Sequence, residues 1–297
     1  MIHKKIELRE ERDFGQKFNA VFAFVQTNFK PFIKVTGLTV GPLALIGGLF
    51  FGLFFSKMFG MVNMTLGGDT SEIVSWVSEM FVSYFFLGLA SLWMMIVVYA
   101  YMAEYDSGNE NITIEAVWKR GKGKIWSVIG FGMLTVVAMI FFIAIIFVIP
   151  GNTGFVMAIK ILLVYVALFY VMISLSLALP NMVIEDAGIF ESIERSFTLI
   201  RGKWWSTFGL LMVMGLIANF ATMIFAIPFY IAWVMTFLMQ TTVNELIIVA
   251  GSCIMFLGSF LMMTLPALAV GFQYFNLVER KEGTGLLKKI DRLGENG

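Results

Sequence analysis

The chain has 297 residues, 59% apolar and only 14% charged, with 21 basic and 20 acidic side chains. Soluble domains are about 45–50% apolar and about 25% charged. A water-soluble globular fold, a disordered chain and a disulfide scaffold are therefore excluded, and a multi-span membrane protein remains. The net charge of +1 is no footprint for nucleic acid.

In chain order, residues 1–34 carry charge throughout, which predicts that no cleavable signal peptide is present and that the first span is retained. Phe14, Phe18, Phe22, Val25, Phe29 and Phe32 recur at helical spacing and predict an amphipathic helix lying in the membrane interface. Runs at 35–55, 80–102, 127–149, 155–180, 206–237 and 246–278 are apolar and long enough to span a bilayer, which takes about 20 residues. Pro228 and Pro266 fall inside the last two runs, which predicts a kink, a tilt or an extension beyond the bilayer. Gly37 with Gly41, and Gly48 with Gly52, have the spacing that lets helices approach closely.

Every lysine and arginine except Lys57 and Lys160 lies before span one, between spans two and three, between spans four and five, or in the tail. The positive-inside rule then predicts that both termini are cytoplasmic. The two basic connections also share words. IEAVWKRGKGKIWSVIG at 114–130 aligns without gaps on IERSFTLIRGKWWSTFG at 193–209, matching Lys124, Trp126 and Ser127 to Lys203, Trp205 and Ser206. The expected fold is an all-α polytopic bundle of six transmembrane helices in three two-span repeats, each preceded by an interfacial amphipathic helix. The repeats cover 1–104, 105–181 and 182–278, with a cytoplasmic tail at 279–297, all in one membrane domain. In the third unit Ile189, Ile193, Phe197, Ile200 and Trp204 form the expected apolar face. Glu191 is expected to pair with Arg195, and Glu194 with Arg201.

The words LREERDFGQKFNAVFAFVQTNFKPFIK at 8–34 and PNMVIEDAGIFESIERSFTLIRGKWWSTFG at 180–209 resemble a family of multi-span integral membrane proteins from Bacteroidota. The second also resembles, more distantly, the membrane domain fused to some glycerophosphodiester phosphodiesterases. The resemblance implies a multi-span membrane fold, a bacterial inner membrane as its location, and no established reaction. The 297 residues hold no soluble segment long enough for the phosphodiesterase catalytic domain. Members of the Bacteroidota family are sometimes labelled carotenoid-cleaving oxygenases. Those enzymes hold iron with four histidines, and His3 is the single histidine here.

With one His and one Cys (Cys253), no His/Cys metal site, cofactor site or Ser-His-Asp unit is expected, and the chain is read as no enzyme. The basic and aromatic residues Lys122, Lys124, Trp126, Arg195, Arg201, Lys203, Trp204 and Trp205 are the expected contacts for lipid headgroups or a partner protein. Pro180, Asn181, Glu185 and Asp186 suggest a polar pocket, and Asn219 is an intramembrane polar group expected to bond between helices. Lys160 is expected to snorkel, and Gln240, Asn244 and Glu245 to mark a water-facing turn. The function expected first is a lipid- or partner-binding membrane protein, acting as an envelope scaffold or accessory subunit. The alternative is a small transporter or channel for an apolar or amphiphilic substrate, with a cavity lined by Asn219 and the regions of Pro228 and Pro266.

Overall fold

The computed structural model describes residues 6–63, 70–109, 111–151, 153–239, 243–283 and 285, and its regular elements there are all helices. His3, Gln240 and the tail residues Lys288, Lys289 and Arg292 lie outside the described residues. Helices α1 (Phe14–Asn63) and α2 (Thr70–Asp106) come first. Short α3 (Ile114–Lys122) leads into α4 (Ile125–Val148) and α5 (Gly154–Leu175). Short α6 (Ala178–Ile184) and α7 (Ile189–Ile200) lead into α8 (Trp204–Phe237) and α9 (Glu245–Glu282). Six stretches are long and apolar enough to cross a membrane: α1, α2, α4, α5 continued by α6, α8 and α9. Each apolar run of the sequence falls on one of them.

Two of the expected interfacial elements are separate helices, α3 and α7. The first is not. Helix α1 runs unbroken from Phe14 to Asn63 with Pro31 and Pro42 inside it. A proline removes one backbone bond from a helix interior, but long apolar helices absorb that loss. The phenylalanine stripe therefore belongs to the same helix as the first apolar run.

Helix α7 packs a mixed face on the protein: of the apolar residues along its pattern, Ile200 is buried and Phe197 exposed. Ser192, Ser196, Leu199 and Ile200 are buried, while Phe190 and Phe197 are exposed. The serines are buried because each has a partner: Ser192 Oγ accepts from Asn181 Nδ2 at 3.1 Å, and Ser196 Oγ donates to the carbonyl of Ser174. Small residues let α7 pack closely on α6 and α5. Its N-terminus is set by Glu191, whose carboxylate accepts the Gly188 N–H at 3.3 Å. The turn from α7 to α8 passes through Gly202 at φ +78°, a left-handed conformation that favours glycine.

The chain divides into two compact units. The first comprises Met1–Phe24, Tyr99–Leu211 and Leu268–Gly297. Phe24 is its aromatic centre, meeting Tyr105, Phe272 and Tyr101 edge-on with ring centroids 4.9, 5.7 and 6.1 Å away. Lys160 belongs to this unit. Its side chain is buried, with Nζ reaching the turn after α4 and donating to the carbonyls of Ile149 and Gly151 at 2.5 and 2.7 Å. It thus caps the negative C-terminal end of α4 with a positive charge.

The second unit comprises Val25–Val98 and Met212–Ala267. Here Phe51 packs on Phe256 and Phe229, with centroids 4.9 and 5.8 Å away. The two glycine pairs behave differently. A Cβ on Gly52 would meet Val249 Cα at 2.6 Å, and one on Gly48 would meet Cys253 Cα at 3.0 Å, so α1 and α9 touch backbone to backbone there. Gly37 has open space at that position. With Gly41 it lines an apolar crevice of about 190 Å³, shared with Thr36, Met94, Leu257 and Thr264 among others. The two threonine hydroxyls on its wall bond back to carbonyls of their own helices.

Candidate functional site

Polar side chains of the first unit gather into a ladder of alternating charge. Asp106, at the end of α2, accepts from Arg9 Nε at 2.9 Å. Arg9 lies 4.0 Å from Glu185, and Glu185 takes Arg195 Nη2 at 3.0 Å. The same nitrogen reaches Glu282, at the end of α9, at 3.0 Å. Arg9 also stacks over Phe275, with 5.3 Å between its guanidinium carbon and the ring centroid. Burial alone would lower the pKa of Arg195, but facing Tyr274, Glu185 and Glu282 holds it above the ordinary value. Arg12 is drawn down by burial, against the opposing charges of Glu10 and Glu7. Its backbone N–H donates to Asn276 Oδ1 at 2.8 Å.

The expected polar pocket separates into two environments. Pro180 and Asn181 are buried in α6. Asn181 receives the phenolic hydroxyl of Tyr274 at 2.8 Å on Oδ1 and donates to Ser192, so it is a structural junction. Glu185 is drawn into the ladder. Asp186 turns away from it, left-handed at φ +63°, and pairs with Lys124. That hydrogen bond and charge hold the Asp186 carboxyl below its ordinary range, with Arg120 adding to the effect. Asn219 belongs to the other compact unit. It is exposed, and its amide donates to the carbonyl of Gly215 on its own helix at 2.8 Å, so no bond between helices is made by that group.

The second environment is a basic cleft. A cavity of about 330 Å³ is lined by Lys119, Arg120, Gly123, Lys124, Val183 and Asp186. Thr113 starts α3 as its N-cap, its hydroxyl accepting the Ala116 N–H at 3.2 Å, and the nine-residue helix brings its basic last turn to the cleft. Arg120 Nε is engaged by Glu104 at 2.7 Å, which fixes the guanidinium plane. Lys122 is exposed just beyond.

The aromatic residues expected at the interface lie at two matching junctions. Trp126, 81% exposed, stands in the first turn of α4 two residues after Lys124. Trp205, 76% exposed, stands in the first turn of α8 two residues after Lys203. Trp204 lies against Tyr170, with centroids 5.5 Å apart, and donates its indole N–H to the Tyr170 carbonyl at 3.2 Å. Arg201 is exposed at the end of α7. Arg195 is thus tied into the ladder, with Glu185 and Glu282 as partners in place of Glu191.

Sequence reasoning missed Arg9, Asp106, Tyr274 and Glu282 as partners of the α6–α7 region. No local pattern marks them, because Arg9 precedes α1, Asp106 ends α2, and Tyr274 and Glu282 lie on α9, all far along the chain from α6 and α7. Lys119 and Arg120 were visible only as part of a basic flank; their position in the last turn of the short helix α3 was the available signal. Among the described residues, no group of three or more His, Cys, Asp or Glu side chains is arranged to hold a metal.

Long apolar helices with an ion-paired layer of loop and helix ends define a multi-span membrane protein. Residues 147–284, just under half of the chain, match the family model for the membrane domain of glycerophosphoryl diester phosphodiesterase. The match runs from the end of α4 to just past α9 and includes the words at 180–209, while those at 8–34 lie outside it. No curated protein and no solved structure matches the chain.

Proposed function

We propose that this chain is a non-enzymatic integral membrane protein that binds membrane lipid at the α3–α4 and α7–α8 junctions. The observation that carries the reading is the paired placement of Trp126 and Trp205. Each is largely exposed at the start of a long apolar helix, with a lysine two residues earlier. Indole rings favour the boundary between headgroups and acyl chains, and lysine favours anionic headgroups beside it. The same correspondence supports reading the two junctions as copies of one repeat. The distribution of lysine and arginine supports cytoplasmic termini, and the resemblance to Bacteroidota membrane proteins supports a bacterial inner membrane.

The test is native mass spectrometry of the protein released from lipid nanodiscs. Phospholipid retained at fixed stoichiometry, and lowered by the double substitution Trp126→Ala, Trp205→Ala, supports the reading. A stoichiometric co-purifying protein with no retained lipid supports an accessory-subunit role instead.

A second reading, a small transporter or channel for an apolar substrate, draws on the apolar crevice beside Gly37 and Gly41. Flux that responds to Gly37→Leu would favour it.

A further inference from the structure

The cleft between α3 and α6 has a composition that a basic topology flank does not require. Lys119, Arg120 and Lys124 face a cavity of about 330 Å³ in which Asp186 is the lone carboxylate among the lining residues. Glu104 holds the guanidinium of Arg120 through Nε. Its two terminal nitrogens are left in the fork geometry that suits a bidentate oxyanion. Lys124 is mostly buried and pinned by Asp186, whose own side chain is largely exposed. Gly123 completes the wall with ordinary helical φ and ψ of −69° and −14°, and a Cβ built there meets nothing within 4 Å. The backbone at the start of α4 is therefore open to close approach by a ligand. Ile125 begins the apolar helix immediately afterwards, which sets the cleft at the level where polar residues give way to apolar ones.

We propose that this cleft binds a phosphoryl group and, resting on the lipid-binding reading above, that a phospholipid headgroup carries it. Arg120 and Lys119 supply charge-assisted donors. Asp186 holds Lys124 in place and competes with the incoming anion for it. The competition gives the proposal a signature that opposes simple loss of packing: removing the Asp186 charge strengthens binding. Asparagine at that position also tolerates the left-handed backbone.

The test uses the full chain in detergent with two probes, short-chain phosphatidylglycerol and inorganic phosphate. Binding is followed by native mass spectrometry and isothermal titration. Lys119→Ala, at an exposed position, and Gly123→Leu, at an open one, are each expected to weaken binding roughly tenfold, with helix content by circular dichroism unchanged. Asp186→Asn is expected to bind more tightly than wild type. Lipid binding that phosphate fails to displace assigns the site to a headgroup. Phosphate that binds alone and displaces the lipid assigns it to a soluble phosphoryl compound.

Equal affinity of all three variants for both probes overturns the proposal, as does failure of wild type to bind either. The two readings separate cleanly. Lipid retention lost in Trp126→Ala, Trp205→Ala but untouched by the cleft variants would leave lipid binding standing and remove the cleft. Phosphate binding that depends on Lys119, with no lipid retained by wild type, would do the reverse.

Discussion

Lys17 Nζ donates to Gln273 Oε1 at 2.7 Å, joining the start of the first long helix to the last one across 256 positions of sequence. The lysine is only 2% exposed. Its ammonium also reaches Ser206 Oγ at 3.2 Å, and Gln273 Nε2 in turn donates to Thr207 Oγ1 at 2.8 Å. Lys17→Met is expected to leave the Gln273 oxygen short of a donor and to cost about 1–3 kcal/mol. Thermal unfolding in detergent measures this, and an unchanged midpoint would show that the network contributes nothing.

Asn181 is 1% exposed and serves Tyr274 and Ser192 together. Asn181→Ala removes both bonds, with an expected loss of about 2 kcal/mol or more. Tyr274→Phe removes one bond and should cost about 1 kcal/mol. Equal losses for the two variants would contradict the shared junction.

The glycine pairs make a matched comparison within one helix. Gly52→Ala puts a methyl group against Val249 backbone and should cost about 1–3 kcal/mol by forcing α1 and α9 apart. Gly37→Ala enters open space and should be neutral, or stabilising by up to about 1 kcal/mol through helix propensity. Chemical denaturation of the two variants side by side distinguishes them, and the ranking should not invert.

Acid should expose the Lys124–Asp186 contact. The carboxyl is held below its ordinary value of 3.8 by the hydrogen bond and charge of Lys124. A group depressed on folding contributes stability above its unfolded pKa and loses it as pH falls through the folded one. Wild type should therefore lose stability relative to Asp186→Asn below about pH 4, with a constant difference from neutral to about pH 5. The side chain is exposed, so the effect should be small and suppressed by salt. A difference that is flat across the whole range would rule the contact out in solution.

The spans were legible in the sequence because crossing a bilayer is a local demand on length and apolarity, met by each helix on its own. The basic connections were legible for the same reason: Lys124, Lys203 and their tryptophans sit beside the apolar runs in the chain. Partnership was not. Arg195 looked paired with Glu191 four positions away, yet its partners are Glu185 and Glu282, the latter 87 positions on. Ser192 and Ser196 lie outside the apolar pattern of α7, yet they are buried because each has a hydrogen-bond partner there. Gly37 and Gly52 carry the same local signal, and only the position of α9 decides which of them is a contact and which a crevice wall. Composition and periodicity therefore determined that the chain spans the membrane and where its helices run. Tertiary structure decided which charges neutralise one another and which remain facing a cleft, because electrostatic pairing depends on distances in space rather than along the chain.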